Sequence, residues 1–239
     1  YEISLGLVGS EMCIRDRYQQ NPVSDEGEYF NREMIRYYDE NEVDFDRLRF
    51  YCAWDLAIGQ RERNDYSVGV VVGVDEYDNL YVVDCIRGKY DGFELVEQIL
   101  DLFETWRPHV VGIEKGHIEM ALGPFLQKRV RERGLNEAYF KDLKVGRRDK
   151  EARARAIQDR MQQGMVYFPQ DPIWVGPLIA ELLRFPNGVH DDQVDALAWI
   201  GLMMTEFATF VEKIEHEPSW RDKLKYLVKS DKRKSAMSS

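Results

Sequence analysis

The sequence predicts an α/β fold with a mixed sheet of five or more strands, the first three antiparallel, and helices on both faces. Apolar runs at residues 48–55, 67–74 and 80–86 follow one another without a helix pattern between them, as in strands joined by hairpins. After residue 91, helix patterns alternate with short apolar runs, which indicates a parallel portion of the sheet. The valine-rich run at 67–74 lacks polar alternation, so both faces are expected to be covered.

The other elements follow from helix caps and periodicity. Asp91-Gly-Phe-Glu94 has the form of a capping box and predicts a helix start. The chain then predicts a fourth strand at 109–114, a helix at 118–133, a fifth strand at 138–145, a basic helix at 150–163, a short strand at 165–168, a helix within 172–183 and a long helix at 190–207. In this order the first strand can lie centrally, with the fourth parallel beside it.

The composition narrows the class of protein. With 239 residues and a formal net charge of −10, the chain is not a general polyanion binder, so contact with nucleic acid needs a local basic patch or bound cations. The three cysteines have no metal-binding spacing and are predicted to be thiols in a reducing compartment. No apolar run approaches the ~18 residues of a membrane span, and we expect a soluble intracellular protein.

Four segments are distinguished along the chain. Residues 1–17 match nothing that follows and are expected to be a non-native leader. Residues 18–47 are predicted to be a linker or a peripheral helix, the helix over residues 29–41. Residues 48–210 are predicted to form one domain, and the Lys-rich segment 211–239 a basic tail that docks a partner or has no role.

Acidic residues stand where predicted elements meet at one end of the sheet. Asp55 ends the first strand, Glu114 ends the fourth, and His190-Asp-Asp-Gln-Val-Asp195 opens the last helix. Each has a simpler structural interpretation, as a turn cap, a partner of Lys115 or a helix cap. Together they exceed what capping needs, and converging carboxylates repel one another unless hard cations neutralise them. The pattern predicts a site for two Mg²⁺ or Mn²⁺ ions that cleaves a phosphodiester.

Four motifs carry a family resemblance. They are Trp54-Asp55-Leu-Ala-Ile with Asn64-Asp65-Tyr-Ser, Val111-Gly-Ile-Glu114, Gly164-Met-Val-Tyr-Phe-Pro169 and His190-Asp-Asp-Gln-Val-Asp-Ala196. Across residues 48–207 the chain resembles the C-terminal nuclease domain of tailed-phage terminase large subunits, in the ribonuclease H-like superfamily. The resemblance implies a metal-dependent endonuclease that cuts concatemeric double-stranded DNA during genome packaging in the infected bacterial cytoplasm. It also implies the terminase small subunit and the portal protein as partners.

The resemblance further implies that Asp55, Glu114 and one aspartate of the last helix bind the metal ions. We favour Asp192, because it shares a helical face with Asp195, while Asp191 is placed to cap the helix. Asp191 is kept as a further metal ligand and Asp195 as a further catalytic acid. Which of the three aspartates ligates directly stays open.

The densest basic stretch of the predicted domain is the candidate DNA contact. Lys150, Arg153 and Arg160 are placed to meet a phosphate backbone, and Lys150 is ranked first as an active-site basic group because it lies where a loop meets a helix. A solvated helix face laced with acids is an equal alternative. His190 is a candidate for orienting a water or a phosphate, and Asp65 for supporting the metal ligands. A structural hydrogen bond and an ordinary loop position are the simpler interpretations of these two residues.

Other functions fit parts of the pattern. A Holliday-junction resolvase or transposase-like recombinase of the same fold uses acids at similar positions. An actin-like ATPase or kinase needs a glycine-rich phosphate turn after the first strand, which Asp55-Leu-Ala-Ile-Gly-Gln60 does not provide. A non-catalytic packaging module would be expected to lack an acid, and none is missing. No Gly-x-x-x-x-Gly-Lys-Ser/Thr loop occurs, so no ATPase activity is expected, and residues 18–47 would follow a missing ATPase domain.

Overall fold

The computed structural model describes residues 29–57, 66–114, 123–143 and 150–215, with side chains in the last helix as far as residue 207. Its strands are β1 (Arg36–Tyr38), β2 (Arg49–Asp55), β3 (Ser67–Val74), β4 (Leu80–Gly88), β5 (Val110–Glu114), β6 (Phe140–Leu143) and β7 (Val166–Pro169). Its helices are α1 (Gly92–Trp106), α2 (Gly123–Glu132), α3 (Lys150–Gln162), α4 (Val175–Leu182) and α5 (Asp192–Glu215). None of these described helices is both long and apolar enough to cross a membrane.

The strands of the described chain form one mixed sheet in the order β1-β7-β4-β3-β2-β5-β6. β2, β3 and β4 pair antiparallel, and β5 lies parallel to β2 after a crossover through α1. β6 then adds in parallel beside β5, and β7 in parallel beside β4. The predicted mixed α/β sheet is confirmed, with its first predicted strand inside the sheet and the fourth parallel to it. With seven strands it is larger than the minimum of five.

The segment before β2 differs from the prediction. Of the two predicted alternatives, the helix at 29–41 is wrong: the chain forms a short 3-10 turn at Arg32–Met34 and then β1, which pairs in parallel with β7. Phe30 is fully buried and anchors this segment in the core. Tyr37 and Tyr38 favour extended backbone, and β7 offers an edge with which they can pair. Pairing with a distant strand therefore overrides the local helix pattern.

Two hydrophobic layers cover the sheet, one formed with α1 and α2 and the other with α3, α4 and α5. Side chains alternate between the layers along β2, so Trp54 lies in the first layer and Ala53 in the second. Gly69 on β3 leaves room for the Trp54 ring, because a Cβ there would lie 2.7 Å from it. Both faces are thus covered, as predicted, and alternate residues of the central strands face α5.

Two local predictions also have clear outcomes. The capping box is confirmed, because Asp91 accepts from the backbone of Glu94 and the Glu94 side chain accepts from the backbone N–H of Asp91. Cys52 and Cys85 are buried free thiols, as predicted, and burial raises the pKa of Cys85 to about 12. Cys13 lies outside the described residues.

Candidate active site

Asp55 and Glu114 end adjacent parallel strands at the same end of the sheet. The register pairs Trp54 with Ile113, so Asp55 and Glu114 are the next residues along β2 and β5. Trp54 and Ile113 both lie in the layer of α1 and α2. Because side chains alternate along a strand, the two carboxyl groups are directed to the opposite layer, which contains α5.

The start of α5 brings two further acids to this end. Burial and nearby carboxylates together raise the pKa of Asp55 to about 8, against the opposing charge of Arg153. Those carboxylates belong, in order of effect, to Asp195, Glu114 and Asp192. Burial likewise raises the pKa of Asp192 and of Asp195. The carboxylates of Glu114, Asp192 and Asp195 therefore lie near enough to Asp55 to disfavour its charged form, and among them Asp195 acts on it most strongly.

Two basic residues of α3 reach the acids of α5. Nζ of Lys150 lies 2.5 Å from Oδ2 of Asp191 and 3.6 Å from Oδ2 of Asp195. Nη2 of Arg153 lies 3.2 Å from Oδ1 of Asp195. Burial lowers the pKa of Lys150, but the bond to Asp191 and the charge of Asp195 outweigh it and raise the pKa overall. The Lys150 side chain is 51% exposed and that of Arg153 only 14%, so Lys150 is the accessible cation of the pair.

Arg87, near the end of β4, belongs to the site although no sequence motif indicated it. Its guanidinium lies 3.4 Å from Oδ2 of Asp192 and 3.5 Å from Oε2 of Glu181. It also stands 4.0 Å from the centre of the Tyr66 ring, a cation–π contact. Nδ1 of His190 lies 3.9 Å from the same Asp192 oxygen. The sequence signal was a cation at the end of a largely buried strand, which needs an acidic partner.

Glu181 of α4 caps α5, a role predicted for Asp191. Its Oε1 accepts from the backbone N–H groups of Gln193 at 2.7 Å and Val194 at 3.3 Å. The Asp191 side chain instead accepts from Lys150. The available sequence signal was an acid inside an otherwise apolar helix, because a carboxylate is buried only when it has partners.

Of the remaining predicted supporting residues, Arg160 is not brought to this place. Arg160 donates to the carbonyl of Asp78 in the turn between β3 and β4. That turn follows the end of β3, whereas Asp55 pairs with Val68 at its start, so Arg160 lies at the opposite end of the sheet. Asp65 lies outside the described residues.

The acids suit a hard divalent cation, although their side chains are not gathered into a ligand cluster. In the described part of the chain, no three His, Cys, Asp or Glu side chains stand close enough together to hold a metal ion. Asp191, Asp192 and Asp195 are each paired with a cation of the protein. Carboxylate oxygens are nevertheless the ligands that Mg²⁺ and Mn²⁺ prefer, and Asp55, whose pKa is raised by burial and by the nearby carboxylates, would be stabilised in its charged form by a bound cation. The residue types therefore fit such an ion.

The fold defines the class of protein as ribonuclease H-like. Solved structures with a similar fold include the large terminase nuclease from thermophilic phage G20c, with a TM-score of 0.50, 16% identity and coverage of 70% of this chain and 92% of that chain. The same nuclease with bound magnesium gives a TM-score of 0.50, 18% identity and coverage of 71% and 93%. The Thermus phage P74-26 large terminase nuclease domain gives a TM-score of 0.48, 17% identity and coverage of 70% of this chain and 90% of that chain.

The family is given by the sequence itself. The model of the terminase RNaseH-like domain matches residues 52–204, and the chain belongs to this family. The match spans the described elements from β2 into α5 and includes all the acids of the candidate site. No curated protein sequence matches the chain.

Proposed function

We propose that the chain is a metal-dependent endonuclease that cuts concatemeric double-stranded phage DNA during genome packaging. The observation that carries the proposal is the placement of Asp55 and Glu114 at the ends of adjacent parallel strands, directed to the layer of α5, whose start carries Asp192 and Asp195. Membership of the terminase RNaseH-like domain family supports phosphodiester hydrolysis and DNA as the substrate. The magnesium bound in the G20c nuclease structure supports a divalent ion.

The acids have distinct proposed roles. Asp55 and Glu114 hold the metal from the two strands, together with Asp192 or Asp195 from α5. The strong effect of Asp195 on Asp55 supports Asp195, and the greater exposure of the Asp192 side chain, 18% against 10%, supports Asp192. When bound, a pair of Mg²⁺ or Mn²⁺ ions supplies an activated water and stabilises the leaving oxygen.

The basic residues of the site have two proposed roles, contact with the substrate and orientation of the acids. Lys150 is half-exposed at the rim, and we assign it to a DNA phosphate, which would draw it away from Asp191. Arg153 is mostly buried and keeps Asp195 oriented. His190, beside Asp192 and the Tyr66 ring, is assigned to the same rim.

The cellular part of the proposal follows the family. The terminase small subunit and the portal protein are the proposed partners, and the infected bacterial cytoplasm is the proposed place of action. ATP hydrolysis is assigned to another part of the packaging machine. Added ATP is therefore expected to leave cleavage by this chain unchanged.

A plasmid assay tests the proposal. Supercoiled plasmid should be nicked and linearised faster in Mn²⁺ than in Mg²⁺, because Mg²⁺ demands near-ideal octahedral geometry and dehydrates reluctantly. No product is expected in EDTA or from Asp55→Asn with Mn²⁺. Cleavage that survives EDTA, or no cleavage in Mn²⁺, would contradict the proposal. A four-way junction cut in preference to linear duplex would favour a resolvase instead.

A further inference from the structure

We propose that Glu181 is a positioning residue that fixes the acidic start of α5 against the sheet, an inference that rests on the proposed function of the site. Glu181 lies on α4 and is only 7% exposed. A buried carboxylate is costly unless donors surround it, and here they come from two other elements, α5 and β4. Its contacts therefore join three elements at the site.

Four donors converge on the two oxygens of Glu181. Oε1 accepts from the backbone N–H groups of Gln193 and Val194. Oε2 accepts from Nε2 of Gln193 at 2.7 Å and from Nη1 of Arg87 at 3.5 Å. Gln193 is 2% exposed, and its Oε1 also faces Sγ of Cys85 on β4 at 3.6 Å. The first turn of α5 is thus held from α4 and from β4 at once.

The contact with α5 determines where its acids stand. Gln193 and Val194 lie between Asp192 and Asp195, so a shift of their backbone moves both carboxylates relative to Asp55. First-turn N–H groups have no partner within their own helix, so an outside acceptor sets how the helix begins. A side chain that touches neither substrate nor metal can therefore control the geometry of the site.

Arg87 gives Glu181 a second effect on the acids. Its guanidinium is shared between Glu181 and Asp192, at 3.5 Å and 3.4 Å. Without Glu181, Asp192 would be the remaining one of these two carboxylate partners of Arg87, and their ion pair would be stronger. Loss of Glu181 should therefore weaken metal binding both by loosening α5 and by strengthening a competing cation.

The experiment uses Glu181→Met, which removes both acceptor oxygens at similar volume, and Glu181→Gln, which keeps one. Glu94→Gln is the matched control, because Glu94 is the capping-box glutamate of α1, away from the acids. Metal-free hydrogen exchange measures the backbone N–H groups of Gln193 and Val194 in the full chain. Mn²⁺ binding is measured by electron paramagnetic resonance, and plasmid cleavage is followed against Mn²⁺ concentration.

We expect hydrogen exchange at both N–H groups to be slowest in the wild type, faster in Glu181→Gln and fastest in Glu181→Met. The Mn²⁺ concentration at half-maximal binding, which we call the Mn²⁺ midpoint, should rise about 10- to 100-fold in the Glu181 variants. This is the range typical of residues that support metal ligands. Glu94→Gln should leave both readouts at wild-type values. If the Met variant fails to fold, the Gln variant decides.

Two results would overturn the inference: unchanged exchange at Gln193 and Val194 in a folded variant, or faster exchange with an unchanged Mn²⁺ midpoint. The second result would make Glu181 an ordinary helix cap. Failure of the proposed nuclease function is recognised separately, as a wild-type chain that does not cut DNA in Mn²⁺. The exchange and Mn²⁺-binding measurements still decide the role of Glu181 in that case.

Discussion

Replacing Asp55 by Asn should stabilise the metal-free protein, and increasingly so as the pH rises. The carboxyl group has a pKa of about 8 in the folded state, against 3.8 when it is exposed. The folded state therefore binds the proton of Asp55 more tightly than the unfolded state does. As the pH rises from about 4 to 8 this proton is lost, and the free energy of unfolding falls. A divalent cation at the site should remove this pH dependence.

The size of the effect follows from the two pKa values. Between pH 5 and pH 9 the raised pKa costs about 4 kcal/mol of unfolding free energy by proton linkage. Relaxation and water entry around a buried charge reduce such values, so we expect a loss of at least ~2 kcal/mol. The neutral amide of Asn has no such dependence, and its packing effects do not change with pH.

Urea unfolding of both proteins in EDTA at pH 5, 7 and 9 measures this difference. Asp171→Asn is the matched control, because Asp171 is exposed and the chemical change is identical. The free-energy gap between Asp55→Asn and wild type should widen with pH, while the Asp171 variant follows wild type. A gap that is constant across this pH range would refute the raised pKa of Asp55 that its burial and the nearby carboxylates produce.

Three further predictions test other parts of the site and fold. Asp192→Asn and Asp195→Asn should each stay folded by circular dichroism, and at least one of them should lose more plasmid cleavage than the ~10- to 100-fold typical of supporting residues, since we assign at least one of these acids to the metal site. If one variant cuts DNA at the wild-type rate, the aspartate that it replaces does not bind the metal. Lys150→Glu should weaken DNA binding on all sequences and flatten the slope of log affinity against log salt concentration by about one unit. Arg160→Glu, at the other end of the sheet, should leave that slope unchanged. Equal slopes for the two variants in fluorescence anisotropy titrations would show that Lys150 makes no phosphate contact. Gly201→Ala should lower stability in urea by about 1–3 kcal/mol, because its Cβ would come within 2.8 Å of the Ile157 backbone nitrogen of α3; an unchanged midpoint would mean that α3 moves aside without cost.

Local sequence patterns predicted the elements that carry Asp55 and Glu114. The valine-rich β3 and the capping box of α1 each have a strong local signal. The crossover rules then place β5 parallel beside β2, which brings the two acids to one end of the sheet. β1 was missed because its three residues become a strand only by pairing with β7, more than a hundred residues away in sequence.

The supporting residues depend on tertiary packing, so no motif could reveal them. Glu181 looks like one acid in an apolar helix until α5 places two N–H groups over it. Asp191 satisfies the sequence rule for a helix cap, yet Lys150 attracts its side chain. Arg160 shares a basic helix with Lys150, but the length of α3 carries it to the other end of the sheet.

The most direct test of the metal site is anomalous diffraction from crystals soaked in Mn²⁺. We predict a manganese peak bonded to carboxylate oxygens of Asp55 and Glu114 and of Asp192, Asp195 or both. Release of Arg87 from Asp192, or of Arg153 from Asp195, should accompany it. No manganese at this end of the sheet, or manganese only at other surface acids, would contradict the assignment of these residues to a metal-dependent nuclease site.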